Sequence, residues 1–285
     1  MAGGAGFLGS HLVDRLILDG SDVLCLDNFS TGSKDNIRHL LTHPNFELVR
    51  HNVWLPLYLE VKHIFNMACP ASPVQYQNDP VATLKTSVLG TINMLGLAKR
   101  QGARILQAST SEVYGDPKEH PQKEDYWGHV NPIGVRACYD EGKRCAETLF
   151  FDYFRQHKVN IRVARIFNTY GPRQSARAVI PTIISQILNN TDSINLGSLT
   201  PTRDFNYVED ICSAFHAIGE SRDTIGKVIN ASSKFEVSIG DTVNLIKEIM
   251  NSDKKIICDD QRLRPEKSEV NRLFGDNSLL LNLTD

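Results

Sequence analysis

Short apolar runs alternate with stretches of helical spacing through the first two-thirds of the chain. Val23 to Leu26, Phe46 to Val49, Ile64 to Ala68, Ile105 to Ala108 and Ile161 to Ile166 are short runs rich in Val, Ile, Leu and Phe. Short apolar-rich runs of this length predict strands buried in a parallel sheet. Between them, Ser10 to Leu18, Val81 to Arg100 and Val135 to His157 predict helices, with Gly20 and Gly102 placed as C-terminal caps of the first two. Strand, helix and strand repeated in this order predict an α/β fold built on a doubly wound parallel sheet. After Gly171 the elements shorten. Ala178 to Leu188, Val208 to Glu220 and Thr242 to Met250 predict helices, the last led by Ser238 and Asp241 as caps, with short strands near Ile194 and Val228. This predicts a smaller C-terminal lobe over 172–285, interleaved with a larger domain over 1–171. No linker, repeat or low-complexity tract marks the boundary.

Composition narrows the class. The chain has 285 residues, with 31 basic against 33 acidic residues for a formal charge of −2, and 41% hydrophobic content. These values exclude dominant disorder and argue against a polyanion-binding surface, so no nucleic-acid partner is expected. The six cysteines, Cys25, Cys69, Cys138, Cys145, Cys212 and Cys258, include no CxxC pair, which predicts buried thiols in a reducing compartment and no metal site. There is no apolar run of about 18 residues and no signal peptide, so the expectation is a cytoplasmic protein without a membrane partner.

Chemistry enters at the first residues. Gly3, Gly6 and Gly9 are spaced GxxGxxG around Phe7 and Leu8 and run straight into a helix. Glycine lets the backbone approach a pyrophosphate, and the helix N-terminus supplies free N–H groups and partial positive charge. Asp27, at the end of the next strand, suits the hydroxyls of an adenosine ribose and repels a 2′-phosphate, which favours NAD over NADP. Together they predict a Rossmann-like dinucleotide site. The fingerprint ordinarily follows a strand, and only Met1 and Ala2 precede it. The central strand is therefore expected to be nearly absent, and the numbered chain to start downstream of its natural beginning.

Ser109, Thr110, Ser111 and Glu112 follow an apolar run, which places them at the carboxyl end of a strand, where open α/β sheets bind ligands. Tyr139 and Lys143 form a YxxxK pair, on one face of a helix by their spacing of four. The ammonium is expected to lower the tyrosine pKa, so that Tyr139 can take a hydroxyl proton while hydride leaves the same carbon.

Asp27-Asn28-Phe29, Cys69 to Pro73, Asn93 to Arg100, Ser109 to Asp116, Glu124 to Lys143 and above all Tyr126-Trp127-Gly128-His129-Val130-Asn131-Pro132 resemble the extended short-chain dehydrogenase/reductases that act on nucleotide sugars. From Gly3 to Arg173 the resemblance is to UDP-glucuronate decarboxylases (UDP-xylose synthases). It implies Tyr139 as base at the sugar C4 hydroxyl with Lys143 as its partner. Thr110 would contact the C4 oxygen, and Ser111 and Glu112 the C5 and C6 region. The implied cofactor set adds Asn28, Thr31, Asn52, Val53 and Thr86 to the glycine loop and Asp27. Tyr58, Lys85, Asn93, Asn168 and Arg173 would contact substrate, and Arg203 its diphosphate, for which a planar, permanent cation is suited. A surface ion pair with Asp204 or Glu209 is the alternative for Arg203. The resemblance also implies a homodimer paired through the two long helices, whose apolar residues include Leu149, Phe150, Phe151 and Phe154.

Asn52 and Ser87 depart from the family's usual aspartate and asparagine. Gln174 to Pro181 and Arg264 to Val270 look more like nucleotide-aminosugar 4,6-dehydratases, and the chain ends before the families' usual C-terminal segment. The leading expectation is NAD-dependent decarboxylation of UDP-glucuronate through a 4-keto intermediate. A 4,6-dehydratase acting on a UDP-N-acetylglucosamine-type sugar and a catalytically impaired nucleotide-sugar-binding protein are the alternatives.

Overall fold

The computed structural model describes residues 1–189, 192–259 and 270–284. In chain order the elements are α1 (Phe7–Leu18), β1 (Val23–Asp27), β2 (Phe46–Arg50), β3 (His63–Asn66), α2 (Pro73–Asn78), α3 (Pro80–Gln101), β4 (Arg104–Thr110), α4 (Ala137–His157), β5 (Ile161–Ile166), β6 (Asn168–Tyr170), α5 (Val179–Leu188), β7 (Ser193–Leu196), β8 (Thr202–Tyr207), α6 (Val208–Glu220), β9 (Val228–Ala231), β10 (Glu236–Ser238), α7 (Ile239–Ile249), β11 (Lys255–Cys258), β12 (Arg272–Leu273) and α8 (Ser278–Leu283). Short 3-10 turns cover Lys34–Leu40 and Ser111–Tyr114.

The main sheet is parallel throughout. β1 pairs with β2, and β3, β4, β5 and β9 lie side by side in that order. The two parts meet at Ala2, which bridges to Leu26 on one side and Asn66 on the other. Its amide donates to Phe65 O at 2.9 Å, and its carbonyl accepts from Met67 N at 2.9 Å. The strand order therefore reverses beside the glycine loop, at the switch point where such sheets bind ligands.

The chain passes between the large sheet and the smaller strands more than once. After β8 the chain returns to the large sheet through α6 and β9. One apolar cluster joins Leu12, Phe65, Leu106 and Ala164 to Val208, Ile211, Phe215, Ile218 and Ile229. The smaller lobe has β8 flanked by antiparallel β10 and parallel β12, and a β7–β11 pair whose core is Ile183, Ile194, Leu196 and Val243.

Several expectations shift. α1 starts at Phe7 rather than Ser10, its first turn opening out of the glycine loop itself. α7 starts at Ile239, because Ser238 caps it by accepting from Asp241 N at 2.9 Å. α3 is apolar enough to cross a membrane by length and mean hydropathy, 1.2, which the run-length reading missed. Polar residues interrupt its run, and Thr83, Ser87 and Thr91 are buried against the fold with Met94 and Leu95. Phe150 lies wholly in its own subunit's core, and Leu149, Phe151 and Phe154 pack against the same cluster, so these residues leave no broad apolar face on α4.

Candidate active site

The glycine loop has the geometry its spacing implies. Gly3 has φ +77°, and a Cβ there would lie 2.9 Å from the Ala68 backbone; one on Gly9 would lie 2.1 Å from Gly3 O. Only glycine fits such approaches. Gly6 leads into α1 with no side chain capping the helix, so the first-turn N–H groups are left to an anion. Asp27 accepts from Phe29 N at 2.8 Å and from Ala5 N at 2.9 Å, so it braces the loop. A dinucleotide diphosphate fits this cradle.

Around it the implied cofactor residues have separate duties. Asn28 Oδ1 accepts from Ser30 N, and Asn52 Oδ1 from Trp54 N. Thr31 is exposed, and Val53 is buried. Asn93, expected at substrate, donates from Nδ2 to Val53 O at 2.9 Å and so supports that loop from beneath. Thr86 Oγ1 donates to Ala82 O within α3.

The candidate catalytic group assembles where β4 meets α4. Thr110 ends β4, accepts from Glu112 N at 3.2 Å and shares a side-chain hydrogen bond with Tyr139. Tyr139 is buried, and Tyr76 of α2 stacks on it with ring centroids 5.0 Å apart. Lys143 Nζ donates to Ala108 O at 2.7 Å and lies 5.9 Å from the centroid of the Tyr139 ring. The expected lowering of the tyrosine pKa is not met: burial, with Cys69 next, holds the phenol well above its usual range. Burial outweighs the nearby cation, which is spent on a backbone carbonyl. Ser111 is buried in the turn after Thr110.

Arg136, Asp140 and Tyr76 were missed. Arg136 forms a close ion pair with Glu112, and its Nε lies 3.8 Å from Asp140 Oδ2. Burial and the Glu112 charge push the Asp140 carboxyl up to about 7, against the pull of Arg136. The signal was present: Arg136 and Asp140 are four apart on the turn that carries Tyr139. Such a pair reads as ordinary helix-surface pairing, and only the packing shows it buried. Gly142 lets α3 come close, since a Cβ there would lie 3.1 Å from Ser87 Cβ.

The remaining substrate candidates divide. Arg203 is buried on β8 and donates to Thr202 O at 2.7 Å. Asp204, its alternative partner, accepts from Ser233 N and Oγ, Lys234 N, Gly275 N and Asn206 Nδ2 instead. Asn168 opens β6, beside Phe205 of β8. Lys85 is exposed on α3, and Arg173, at φ +66°, pairs with Asp14 of α1 at 2.7 Å. Tyr58 stands apart. Its ring packs 4.7 Å from the Arg100 guanidinium, next to Lys99, which meets His157. His157 is 18 residues beyond Tyr139 on α4, about 27 Å at 1.5 Å per residue. Arg264 and the rest of the 260–269 stretch lie outside the described residues, and no cluster able to hold a metal occurs among the described ones.

Behind the site a buried network fixes the β4 end. Ser109 Oγ donates to Glu147 Oε1 at 2.6 Å, and Arg165 holds both Glu147 oxygens, at 3.0 and 2.7 Å. Arg165 also donates to Tyr114 OH at 3.0 Å, and that hydroxyl donates to Asn230 Oδ1 of β9 at 2.7 Å.

Residues 1–283 match the family model described as GDP-mannose 4,6 dehydratase. UDP-glucuronic acid decarboxylase 6 of Arabidopsis thaliana is 50% identical over 284 residues, covering 96% of this chain and 82% of that protein. UDP-glucuronic acid decarboxylase 1 of Xenopus tropicalis is 49% identical over 283 residues, covering 96% of this chain and 67% of that protein. Among solved structures, UDP-N-acetylglucosamine 4-epimerase from Methanobrevibacter ruminantium M1, in complex with UDP-N-acetylmuramic acid, matches with TM-score 0.86 at 27% identity. That match covers 98% of this chain and 89% of the epimerase. The likeness to the decarboxylases thus continues well past Arg173, where the sequence suggested a change of resemblance.

Proposed function

Since this chain belongs to the GDP-mannose 4,6-dehydratase family, we propose that it is a carboxy-lyase of that family which converts UDP-glucuronate to UDP-xylose with bound NAD. The observation that carries this reading is half-identity to UDP-glucuronic acid decarboxylases over 96% of the chain, with Thr110, Tyr139 and Lys143 gathered at the sheet's carboxyl edge. The Gly3–Gly9 cradle and the Asp27 carboxylate would hold the NAD. When bound, NAD would supply the hydride acceptor, and later donor, for C4 of the sugar.

Tyr139 takes the C4 hydroxyl proton, while Thr110 orients the C4 oxygen. Lys143 positions Tyr139 and the ribose next to it. The resulting ketone is β to the C6 carboxylate, so the C5–C6 bond breaks with its electron pair passing into the enolate. Carbon dioxide leaves, C5 takes a proton, and Tyr139 returns its proton as C4 is reduced. The cycle consumes one proton and no net reductant. Ser111 is neutral, so it sets no charge against the uronate carboxylate. An aspartate there, a few ångströms away, would oppose it by about 1 kcal/mol or more. Arg203 would meet the diphosphate.

Purified protein incubated with UDP-glucuronate is expected to release carbon dioxide and UDP-xylose, and to yield NAD, not NADP, on denaturation. Loss of water from UDP-N-acetylglucosamine without carbon dioxide from UDP-glucuronate would instead favour the dehydratase reading.

The proposal includes a cytoplasmic homodimer. Val81, Leu84, Leu89 and Ile92 are exposed and lie on one face of α3. That stripe supports pairing through α3, with α4 contributing less than its sequence suggested. Light scattering at micromolar concentration is expected to give twice the chain mass; a monomer mass rejects the dimer.

A further inference from the structure

Asp140 is next to Tyr139 in sequence and 7% exposed. Its Oδ2 lies 3.8 Å from Arg136 Nε, while its Oδ1 is buried with no hydrogen-bond partner. The Arg136 Nη2 end binds Glu112. One guanidinium thus stands between two carboxylates. We propose that Asp140 is a positioning and specificity residue that competes with Glu112 for Arg136. When protonated, it leaves the guanidinium to Glu112 and the site open to an anionic sugar carboxylate; when ionised, it draws Arg136 back and sets a second negative charge against that substrate. The proposal rests on the UDP-glucuronate reading and adds a pH-gated choice of substrate charge to it.

The surroundings define the balance. Glu112 faces Asp140 from the 3-10 turn, and Arg136, Tyr139 and Glu141 act from α4 itself. Tyr76 of α2 stacks on Tyr139 and acts on Arg136. Cys138, also on α4, feels the Asp140 charge and that of Cys69; at Gly142, two residues past Asp140, α3 comes close through Leu84 and Ser87, and β4 ends at Thr110. Burial outweighs the attraction of Arg136, so the carboxyl titrates at about 7. The sign follows: below that pH Asp140 is neutral and uronate binding is favoured, and above it the added anion opposes binding. A single ionisation that blocks binding raises KM by at most about tenfold per pH unit.

The test measures kcat and KM for UDP-glucuronate from pH 6 to 8.5, with competitive inhibition by the product UDP-xylose, which has no carboxylate. In the wild-type holoenzyme, KM for UDP-glucuronate is expected to rise at least fivefold from pH 6.5 to 8.5, with kcat changing less. The inhibition constant of UDP-xylose is expected to stay level. Asp140→Asn is expected to flatten the KM profile while NAD stays bound. A wild-type KM that is level with pH overturns the proposal, as does the same slope for UDP-xylose or an unchanged slope in Asp140→Asn. If Asp140→Asn does not fold, the wild-type comparison of the two sugars still decides. Absence of carbon dioxide at every pH defeats the decarboxylase reading itself, whereas turnover with a level KM defeats only the role of Asp140.

Discussion

Tyr139→Phe is expected to lower carbon dioxide release from UDP-glucuronate by about 10²–10⁴-fold, the usual cost of removing a positioned acid–base group. The ring should stay in place, because Tyr76 stacks on its face and burial holds it whether or not the hydroxyl is present. What is lost is the single hydroxyl that shares a hydrogen bond with Thr110. Without it no group takes the C4 proton, no ketone forms, and the C6 carboxylate has no electron sink. The loss should therefore fall on kcat, with UDP-xylose binding and NAD retention preserved. Turnover equal to wild type would remove Tyr139 from the mechanism.

Glu147→Ala is expected to destabilise the fold by about 3–5 kcal/mol, the penalty for leaving one partner of a buried ion pair alone. Both side chains are close to nine-tenths buried, and Arg165 holds Glu147 through two hydrogen bonds. The loss is a large share of the roughly 5–15 kcal/mol that ordinarily separates folded from unfolded chains. Denaturant midpoints measure it. Replacing Glu147 and Arg165 together by apolar residues should recover much of the stability, because no charge is then left buried. That double variant should still turn over poorly, since Ser109 loses its acceptor beside Thr110. A Glu147→Ala midpoint within about 0.5 kcal/mol of wild type would show that the pair is not worth its burial.

The large sheet was legible because its strands are short runs rich in Val, Ile, Leu and Phe and its helices end at recognisable glycines, such as Gly102 in the left-handed conformation. β8 was not. Its buried positions are Arg203, Asp204 and Asn206, so no apolar pattern marks it. These polar residues tolerate burial because loops far along the chain, at Ser233, Lys234 and Gly275, donate to Asp204. The end of α4 was placed correctly at His157 although its left-handed cap is Lys158 rather than glycine. At the site, Tyr139, Lys143 and Thr110 could be found by spacing and strand position. Arg136 and Asp140 could not be ranked, because a surface ion pair and a buried one have the same spacing. Tyr58 was carried by resemblance alone, and the fold sets it at the other end of α3.

The late return of β9 governs the order in which the molecule can be made. β5 ends at Ile166, and its outer partner begins at Val228. As the chain leaves a ribosome, the first 171 residues carry Leu12, Phe65, Leu106 and Ala164 with nothing yet to cover them, because Val208, Phe215 and Ile229 are still to come. The sheet also keeps an open hydrogen-bonding edge on β5 through that interval, the kind of edge that recruits foreign strands. The smaller lobe is thus synthesised in two parts, β7 and β8 before β9, and β10 to β12 after it. Dividing the gene at residue 171 would yield a first product with an uncovered sheet, and the two lobes must pass through folding as one unit.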